Sequence, residues 1–120
     1  MKRKILIAED DKAILDVVKI ILENEGYTVL TADTGSNMHK IIFQHRPDII
    51  LMDIWLFGED GSKIAKQLKS QSDSRSIPLV LMSANNETEK ITKEVGADDF
   101  LLKPFNIDDL LNIVRKYLKS

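Results

Sequence analysis

The sequence predicts an α/β fold: a doubly wound, five-stranded parallel sheet built from five successive strand–helix units, (βα)5. Short, compact apolar runs alternate along the chain with segments whose apolar residues recur at helical spacing. In addition, residues 48–52 are apolar on both faces, which is typical of a central parallel strand covered by helices on each side. At 120 residues, the chain is expected to form one domain spanning residues 1–120.

The first half of the chain supplies three strands and two helices. The strands are predicted at Lys4–Ala8, 29–32 and 48–52. The core face of the first helix is marked by apolar residues at helical spacing, which are Ile14, Val17, Val18, Ile21 and Leu22. Gly26 is the expected C′ residue of this helix, because glycine adopts a positive φ at little cost. The second helix should end before Pro47. Its core positions are Met38, Ile41 and Ile42.

The second half supplies the remaining two strands and three helices. The third helix carries Ile64, Ala65 and Leu68 and is followed by a polar loop at 70–76. The fourth strand is predicted at 78–82, where a proline at the start removes no interior ladder bond. A weaker fourth helix should end at Gly96, before a fifth strand at Asp99–Leu102. Asn106 is the expected N-cap of the last helix. The core face of that helix consists of Ile107, Leu110, Leu111, Val114 and Leu118.

The composition narrows the classes of function. A net charge of −2 and a pI near 5.7 give no electrostatic reason to expect direct binding to nucleic acid or to an anionic membrane. The chain has no cysteine, which excludes disulfides and thiolate metal sites. No stretch approaches the ~20 apolar residues of a membrane span, and the basic start is followed by too short an apolar run for a signal peptide. The sequence therefore predicts a cytoplasmic protein.

Polar side chains follow four of the five predicted strands. They are the acidic run 9–11 after the first strand, Asp53 after the third, Ser83 after the fourth and Lys103 after the fifth. Ligands of parallel α/β sheets bind outside the carboxyl ends of the strands, so we expect these groups to share one crevice. Asp53 could equally cap the following helix, and Asp11 could cap the first. Their joint placement favours a functional site.

The residue types in this crevice suit a divalent cation and a phosphoryl group. Two carboxylates ~4 Å apart repel each other by about 4 kcal/mol at an effective dielectric constant of about 20, so clustered acids call for a cation or a proton. Oxygen-only ligands favour Mg²⁺, which binds through one or two carboxylates and retains water. A carboxylate can act as a nucleophile and form an acyl phosphate. Phosphoryl transfer needs mainly positioning and charge neutralisation, which Lys103 and Ser83 would assist.

Four motifs occur in order over essentially the whole chain. They are 5–11 (Ile-Leu-Ile-Ala-Glu-Asp-Asp), 48–53 (Asp-Ile-Ile-Leu-Met-Asp) with Asp60-Gly61 beyond it, 81–84 (Leu-Met-Ser-Ala) and 96–105 (Gly-Ala-Asp-Asp-Phe-Leu-Leu-Lys-Pro-Phe). Together they resemble the receiver domain of two-component response regulators. The resemblance implies a flavodoxin-like sheet with strand order 2-1-3-4-5. In that order strands 1, 3, 4 and 5 are contiguous, and the four motifs meet.

The resemblance also implies roles for individual residues. Asp53 looks like the phosphoacceptor, which receives a phosphoryl group from a phosphohistidine. Glu9 and Asp10 look like the acidic pair that holds Mg²⁺ together with Asp53, and the main-chain carbonyl of Trp55 would be a further ligand. Lys103 looks like the counter-charge of the acyl phosphate.

Two further positions are similar to those that report phosphorylation in the family. Ser83 looks like the hydroxyl that turns toward the acyl phosphate. Phe100 occupies the switch position that is often Tyr, and a role as a plain core aromatic is about as well supported. The bond between Lys103 and Pro104 is similar to one that is cis in the family.

Three residues bear on the loops around the acceptor. Phe57 stands where the family usually has proline, so the geometry of its loop is less fixed. Trp55 and Asn85 occupy positions that flank the acyl phosphate and tune its hydrolysis in the family. We expect the bulky Trp55 to hinder an in-line water and to lengthen the phosphorylated lifetime.

Three other functions compete with this interpretation. A phosphatase of the haloacid dehalogenase type also uses an Asp and Mg²⁺, but it needs a second acid where this chain has Trp55. A flavin or nucleotide binder needs a loop rich in Gly, Ser or Thr after the first strand, whereas the acidic run 9–11 would repel phosphate unless a metal intervened. A receiver-like scaffold that accepts no phosphate is a third alternative, against which the full set of family residues argues.

The preferred hypothesis is a stand-alone receiver, although a domain cut from a longer regulator would have the same sequence features. It is expected to be a phosphoacceptor switch and not an enzyme, assisting its own Mg²⁺-dependent phosphoryl transfer and slow acyl-phosphate hydrolysis. A histidine kinase or histidine phosphotransfer protein would be the donor. An unidentified effector protein would recognise a surface formed by helix 4, strand 5 and helix 5.

Overall fold

In a computed structural model, which describes residues 2–56 and 58–118, the chain folds as one parallel sheet covered by helices on both faces. The sheet strands are β1 Lys4–Ala8, β2 Thr28–Ala32, β3 Ile49–Asp53, β4 Leu79–Ser83 and β5 Asp99–Leu102. The helices are α1 Lys12–Asn24, α2 Gly35–His45, α3 Gly61–Ser70, α4 Thr88–Val95 and α5 Ile107–Tyr117. The strand order is β2-β1-β3-β4-β5, with every pairing parallel, which confirms the predicted fold class.

The alternation of side chains along the strands divides the interior into two cores. Leu6 and Ala8 of β1 face one core, to which α2, α3 and α4 contribute. Ile5 and Ile7 face the other, to which α1 and α5 contribute. The central strands β1 and β3 are buried on both faces, as the apolar run at 48–52 predicts. Within the described ranges, none of the helices is long and apolar enough to cross a membrane.

Two strands are shifted by one residue toward the carboxyl end relative to the prediction: they begin at Ile49 and Leu79 instead of at residues 48 and 78. β3 includes Asp53 as its last residue, and β4 includes Ser83 as its last. Asp53 pairs with Met82 across the sheet, and Ser83 pairs with Leu102 of β5. The polar residues that the sequence places after the strands are therefore held by the sheet ladder itself, which fixes their positions more firmly than a loop would.

The helix ends follow the capping signals of the sequence. Asp11 caps α1 by accepting hydrogen bonds from the amides of Ala13 and Ile14. Asn106 forms a capping box with Asp109 at the start of α5, which satisfies amides that the first helical turn leaves unpaired. Gly26, after α1, has a φ of 94°, as predicted for a C′ residue. The helix α2 ends at His45, before Pro47.

A short hairpin between β3 and α3 was not predicted. Trp55–Leu56 pairs antiparallel with Glu59–Asp60; two residues per strand are too few to show a period in the sequence. Asp60 caps α3 through the amide of Ser62, so the alternative in which Asp53 caps this helix is wrong. Phe57, at which the sequence departs from the family pattern, lies outside the described residues.

Candidate functional site

The ammonium of Lys103 joins two carboxylates at the carboxyl end of the sheet. Its Nζ lies 2.5 Å from Glu9 Oε1 and 2.6 Å from Asp53 Oδ2. The Glu9 side chain is 1% exposed, that of Asp53 14% and that of Lys103 16%. These residues follow or end β1, β3 and β5, so the strand order brings together groups that are far apart in the sequence.

Burial and pairing act in opposite directions on the charges in this site. Burial raises the pKa of Glu9, and the hydrogen bond from Lys103 offsets only part of this effect. Burial would lower the pKa of Lys103, but the hydrogen bonds to Asp53 and Glu9 outweigh it and raise the pKa. Lys103 is therefore held in its charged form, whereas burial disfavours the charged form of Glu9.

The remaining carboxylate oxygens of the pair accept hydrogen bonds from the main chain. The amide of Trp55 donates to Asp53 Oδ1 at 3.1 Å, and the amide of Asp11 donates to Glu9 Oε2 at 3.2 Å. Both carboxylates are thus oriented on each side, by Lys103 and by a backbone amide. Trp55 places its amide in this way while 62% of the residue is exposed.

The donor chemistry of the site fits Mg²⁺. Glu9 and Asp53 offer carboxylate oxygens, and Lys103 supplies one positive charge against them. Asp10, the next residue after Glu9, is exposed. Mg²⁺ needs only one or two protein carboxylates because it retains water. Within residues 2–56 and 58–118, no three Asp, Glu, His or Cys side chains converge closely enough to surround one ion. The ligand set Glu9, Asp10 and Asp53 with the Trp55 carbonyl therefore stays a prediction.

Ser83 lies at the same edge of the sheet and is buried. Its Oγ accepts a hydrogen bond from the amide of Asn85 at 3.0 Å, and its carbonyl accepts one from the amide of Lys103 at 2.9 Å. The latter contact connects the ends of β4 and β5. Asn85 is exposed, and its side-chain oxygen accepts from the amide of Glu87 at 2.8 Å.

The structure also contains a buried hydroxyl that the sequence analysis did not single out. Thr88, the first residue of α4, is fully buried, and its Oγ1 donates to the carbonyl of Asn85 at 2.5 Å. A threonine three residues after a loop carbonyl is a known local pattern. It would have been a weak signal, because the sequence does not tell whether such a hydroxyl is buried.

Phe100 is half-buried on the edge strand β5. Its amide donates to Asp99 Oδ1 at 2.9 Å. Asp99 Oδ2 in turn accepts from Lys116 Nζ at 2.8 Å and from the Tyr117 hydroxyl at 2.9 Å. The segment around Phe100 is therefore tied to the end of α5. The bond between Lys103 and Pro104 is cis, which confirms the sequence prediction.

An apolar groove of about 1040 Å³ opens beside Lys103. It runs between α1 and the segment that leads into α5. Its apolar lining includes Ile14, Val17, Ile21, Phe105 and Ile107. Val17 and Ile107 are 56% and 55% exposed, so the groove presents large apolar side chains to the surface beside Lys103. The prediction that these two residues lie on the core faces of their helices is therefore wrong.

Comparison with known proteins agrees with this geometry. Residues 5–115 match the family described as "Response regulator receiver domain". Among solved structures, the chain is similar to chemotaxis response regulator CheY4 of Vibrio cholerae, at 28% identity and a TM-score of 0.89 over 98% of this chain and 100% of that one. It is also similar to the receiver domain of NtrX from Brucella abortus, at 31% identity and a TM-score of 0.86 over 97% and 98%.

A third similar structure bears on the metal. The receiver domain of sensor histidine kinase PA1611 from Pseudomonas aeruginosa PAO1 is 27% identical, with a TM-score of 0.89 over 100% of both chains. That structure is described as having a magnesium ion coordinated in the active site cleft.

Proposed function

Because the chain belongs to the response regulator receiver domain family of two-component systems, we propose that it accepts a phosphoryl group on the carboxylate of Asp53 and acts as a phosphorylation-dependent switch. The proposed domain spans residues 1–120. The donor is a phosphohistidine on a histidine kinase or a histidine phosphotransfer protein.

One observation carries the assignment of the acceptor. Lys103 holds its ammonium against Asp53 Oδ2 at 2.6 Å and against the buried Glu9 carboxylate. A lysine in this position compensates the charge of Asp53 before reaction, and it lies within reach of the oxygens that a phosphoryl group would add. Electrostatic stabilisation of this kind, built in before the reaction, contributes strongly to catalysis of group transfer.

The transfer itself requires one bond to form and one to break. A carboxylate oxygen of Asp53 attacks the phosphorus atom, and the P–N bond to the donor imidazole breaks. The electron pair of that bond stays on the ring nitrogen, which leaves as neutral histidine when the second ring nitrogen carries a proton. The Trp55 amide and Lys103 hold the attacking carboxylate in one orientation, which lowers the entropic cost of the reaction.

Mg²⁺ is the proposed cofactor. Glu9, Asp10 and Asp53 would hold it, with the main-chain carbonyl of Trp55, and it would supply positive charge next to the phosphoryl oxygens. Support comes from the oxygen-donor chemistry of the site and from the magnesium ion of the similar PA1611 receiver domain.

The proposed readout involves Ser83 and Phe100. Ser83 would turn its hydroxyl toward the acyl phosphate, and Phe100 would change its side-chain position. Because Phe100 adjoins Asp99, which is bonded to α5, such a change would reach the surface formed by α4, β5 and α5. An effector protein would bind that surface preferentially in the phosphorylated arrangement, as a population shift.

The apolar groove beside Lys103 is the proposed docking site of the phosphohistidine donor. Lys103 lines the groove and also contacts Asp53, so a donor seated in the groove would reach the acceptor.

Trp55 and Asn85 are proposed to tune hydrolysis of the acyl phosphate. The chain would assist its own phosphorylation and would not act as an enzyme on a separate substrate. We propose that the reaction takes place in the cytoplasm.

The decisive experiment uses a small phosphodonor. Wild type and Asp53→Asn are incubated with acetyl phosphate and Mg²⁺, and intact mass is measured over time. The wild type should gain the mass of one phosphoryl group, and Asp53→Asn should gain none. Omitting Mg²⁺ should slow uptake by the wild type. Equal uptake by the two proteins would refute Asp53 as the acceptor.

A further inference from the structure

The buried hydroxyl of Thr88 connects α4 to the loop that begins at Ser83. Thr88 is the first residue of α4, and none of its surface is exposed. Both its Oγ1 and its amide donate to the carbonyl of Asn85, at 2.5 Å and 3.2 Å. The N-cap residue Glu87 makes no side-chain capping bond. The start of α4 is therefore joined to the loop through Thr88.

Asn85 passes this restraint on to Ser83. Its amide donates to Ser83 Oγ at 3.0 Å, and its side-chain oxygen accepts from the amide of Glu87 at 2.8 Å. The carbonyl, amide and side chain of Asn85 are thus all engaged. Ser83 itself is fixed as the last residue of β4. The loop forms a short chain of hydrogen bonds with Ser83 at one end and Thr88 at the other.

This chain of bonds opposes a change in the Ser83 hydroxyl. If Ser83 Oγ moves toward a phosphoryl group on Asp53, the Asn85 amide must follow it or lose its acceptor. Asn85 can follow only if its carbonyl moves relative to Thr88, which is buried at the start of a helix. A buried amide or hydroxyl that loses its partner costs free energy, so the contact at Thr88 stabilises the present loop arrangement.

We propose that Thr88 is a positioning residue that restrains the Ser83 loop in its unphosphorylated arrangement and thereby sets how readily the site accepts a phosphoryl group. The inference rests on the proposed function, because it needs Asp53 to be the acceptor and Ser83 to respond. The hydroxyl is the group that matters, since valine has nearly the same shape as threonine but cannot donate to the Asn85 carbonyl.

The test compares Thr88→Val with Thr88→Ser, and with Thr92→Val as a matched control. Thr92 is also buried, and its Oγ1 donates to the Thr88 carbonyl at 2.7 Å, so its bond stays within α4 and does not reach the loop. Phosphorylation by acetyl phosphate with Mg²⁺ is followed by intact mass over a series of donor concentrations. Exchange of the Asn85 amide hydrogen is measured in parallel.

Thr88→Val should raise the maximal phosphorylation rate about five-fold. Loss of one ordinary hydrogen bond shifts a conformational equilibrium by about this factor. The donor concentration at half-maximal rate should not change, because Thr88 does not contact the donor. The Asn85 amide should exchange faster. Thr88→Ser, which keeps the hydroxyl, should behave as wild type, and so should Thr92→Val. If Thr88→Val folds poorly, Thr88→Ala removes the same hydroxyl and should give the same rate increase.

The outcomes separate this inference from the proposed function. No phosphoryl uptake by the wild type would overturn both. Normal uptake by the wild type, with an unchanged or lower maximal rate in Thr88→Val, would overturn the inference alone. Failure of Thr88→Ser to restore the wild-type rate, or an equal increase in Thr92→Val, would also overturn it, because the effect would then not depend on the hydroxyl of Thr88.

Discussion

Lys103 and Glu9, which are 94 positions apart in the sequence, form an ion pair of 2.5 Å in which the carboxylate is almost completely buried. The same ammonium pairs with Asp53, so one positive charge compensates two carboxylates. The arrangement leaves excess negative charge at the site before any cation or phosphoryl donor arrives. Such a site is suited to binding a cation. When no cation is bound, the excess negative charge lowers the stability of the fold.

Replacement of Glu9 by glutamine should therefore stabilise the fold. Burial raises the pKa of Glu9 above its ordinary value of 4.5, so the folded chain binds a proton more tightly than the unfolded chain. By linkage, wild-type stability falls as pH rises from 4.5 through the folded-state pKa. The advantage of Glu9→Gln should be small below pH 4.5, grow through this window and remain constant above it. Urea unfolding at several pH values measures it.

The control for this prediction is Glu23→Gln, which neutralises an exposed glutamate of α1. It should leave the free energy of unfolding within about 0.5 kcal/mol of wild type across the same pH range. Added Mg²⁺ should stabilise the wild type more than Glu9→Gln. A loss of stability in Glu9→Gln at neutral pH would show that pairing with Lys103 outweighs the burial of the Glu9 charge.

A charge in the apolar groove should impair phosphoryl transfer from a protein donor but not from a small-molecule donor. Val17→Glu places a carboxylate in the groove lining, and Ile20→Glu is the control. Ile20 is on the same helix and is 58% exposed, but it does not line the groove. We expect Val17→Glu to lower kcat/KM for transfer from autophosphorylated histidine kinases about ten-fold, the effect of one interface side chain contributing ~1.4 kcal/mol.

The measurement uses a panel of purified histidine kinases charged with labelled ATP, with acetyl phosphate as the small donor. Both variants should accept the phosphoryl group from acetyl phosphate at the wild-type rate. A kinase that phosphorylates Val17→Glu and wild type equally well would contradict docking in this groove.

The positions of the helix caps and of the polar residues at the strand ends could be predicted from the sequence much more fully than the atoms that these side chains contact. Asp11 and Asn106 could be identified as helix caps because each precedes an amphipathic run. Asp53 and Lys103 could be identified as site residues because the carboxyl ends of parallel strands meet at one edge of the sheet. The contact between Lys103 and Glu9 was not predicted, since a strand-end pattern shows which groups share a crevice and not which atoms pair. Thr88 was missed for a related reason: apolar periodicity reports burial of hydrocarbon and is silent on a buried hydroxyl.

Trp55 should control the lifetime of the acyl phosphate. Its amide orients Asp53 at 3.1 Å, and its bulky indole should hinder a water approaching in line with the phosphoryl group. Trp55→Asn should lose the phosphoryl group about ten-fold faster, equivalent to ~1.4 kcal/mol of barrier. The first-order loss is followed by intact mass after removal of acetyl phosphate. Trp55→Phe retains bulk and should resemble wild type. An unchanged rate in Trp55→Asn would eliminate this role.

Asp99 should couple the edge strand to α5 in a pH-dependent way. Burial alone would raise its pKa, but hydrogen bonds from Lys116, the Phe100 amide and Tyr117 outweigh this effect and lower the pKa. The stabilisation is present above the ordinary value of 3.8 and is lost as pH falls through the folded-state pKa. Asp99→Asn should therefore lower the free energy of unfolding by about 1 kcal/mol at neutral pH, and the deficit should vanish in acid.

Urea unfolding of Asp99→Asn and of a control, Asp73→Asn, tests this coupling. Asp73 is exposed, and among the described residues it is hydrogen-bonded only through its main-chain carbonyl, which accepts from Arg46. The control should match wild type at neutral and acidic pH. A deficit in Asp99→Asn that persists unchanged in acid would mean that the carboxylate charge does not contribute.

Gly61 should be indispensable to the geometry around Asp53, although its φ is not positive. Its amide donates to the carbonyl of Ile54, and a Cβ at this position would lie 2.7 Å from the Asp53 carbonyl oxygen and closer still to that of Ile54. Gly61→Ala must push these main-chain atoms apart, at a cost of about 1–3 kcal/mol by analogy with overpacking. Because they adjoin Asp53, the proposed acceptor, phosphorylation by acetyl phosphate should slow as well.

Gly35→Ala is the matched control, because Gly35 is likewise the first residue of a helix. A Cβ there would meet Ile64 and Glu59 side-chain atoms at 3.4 Å and 3.6 Å, which is ordinary packing. Its free energy of unfolding should stay within about 0.5 kcal/mol of wild type, with a normal phosphorylation rate. Equal behaviour of the two variants would show that the backbone around Asp53 can relax, and the site would then not depend on the close approach of Gly61.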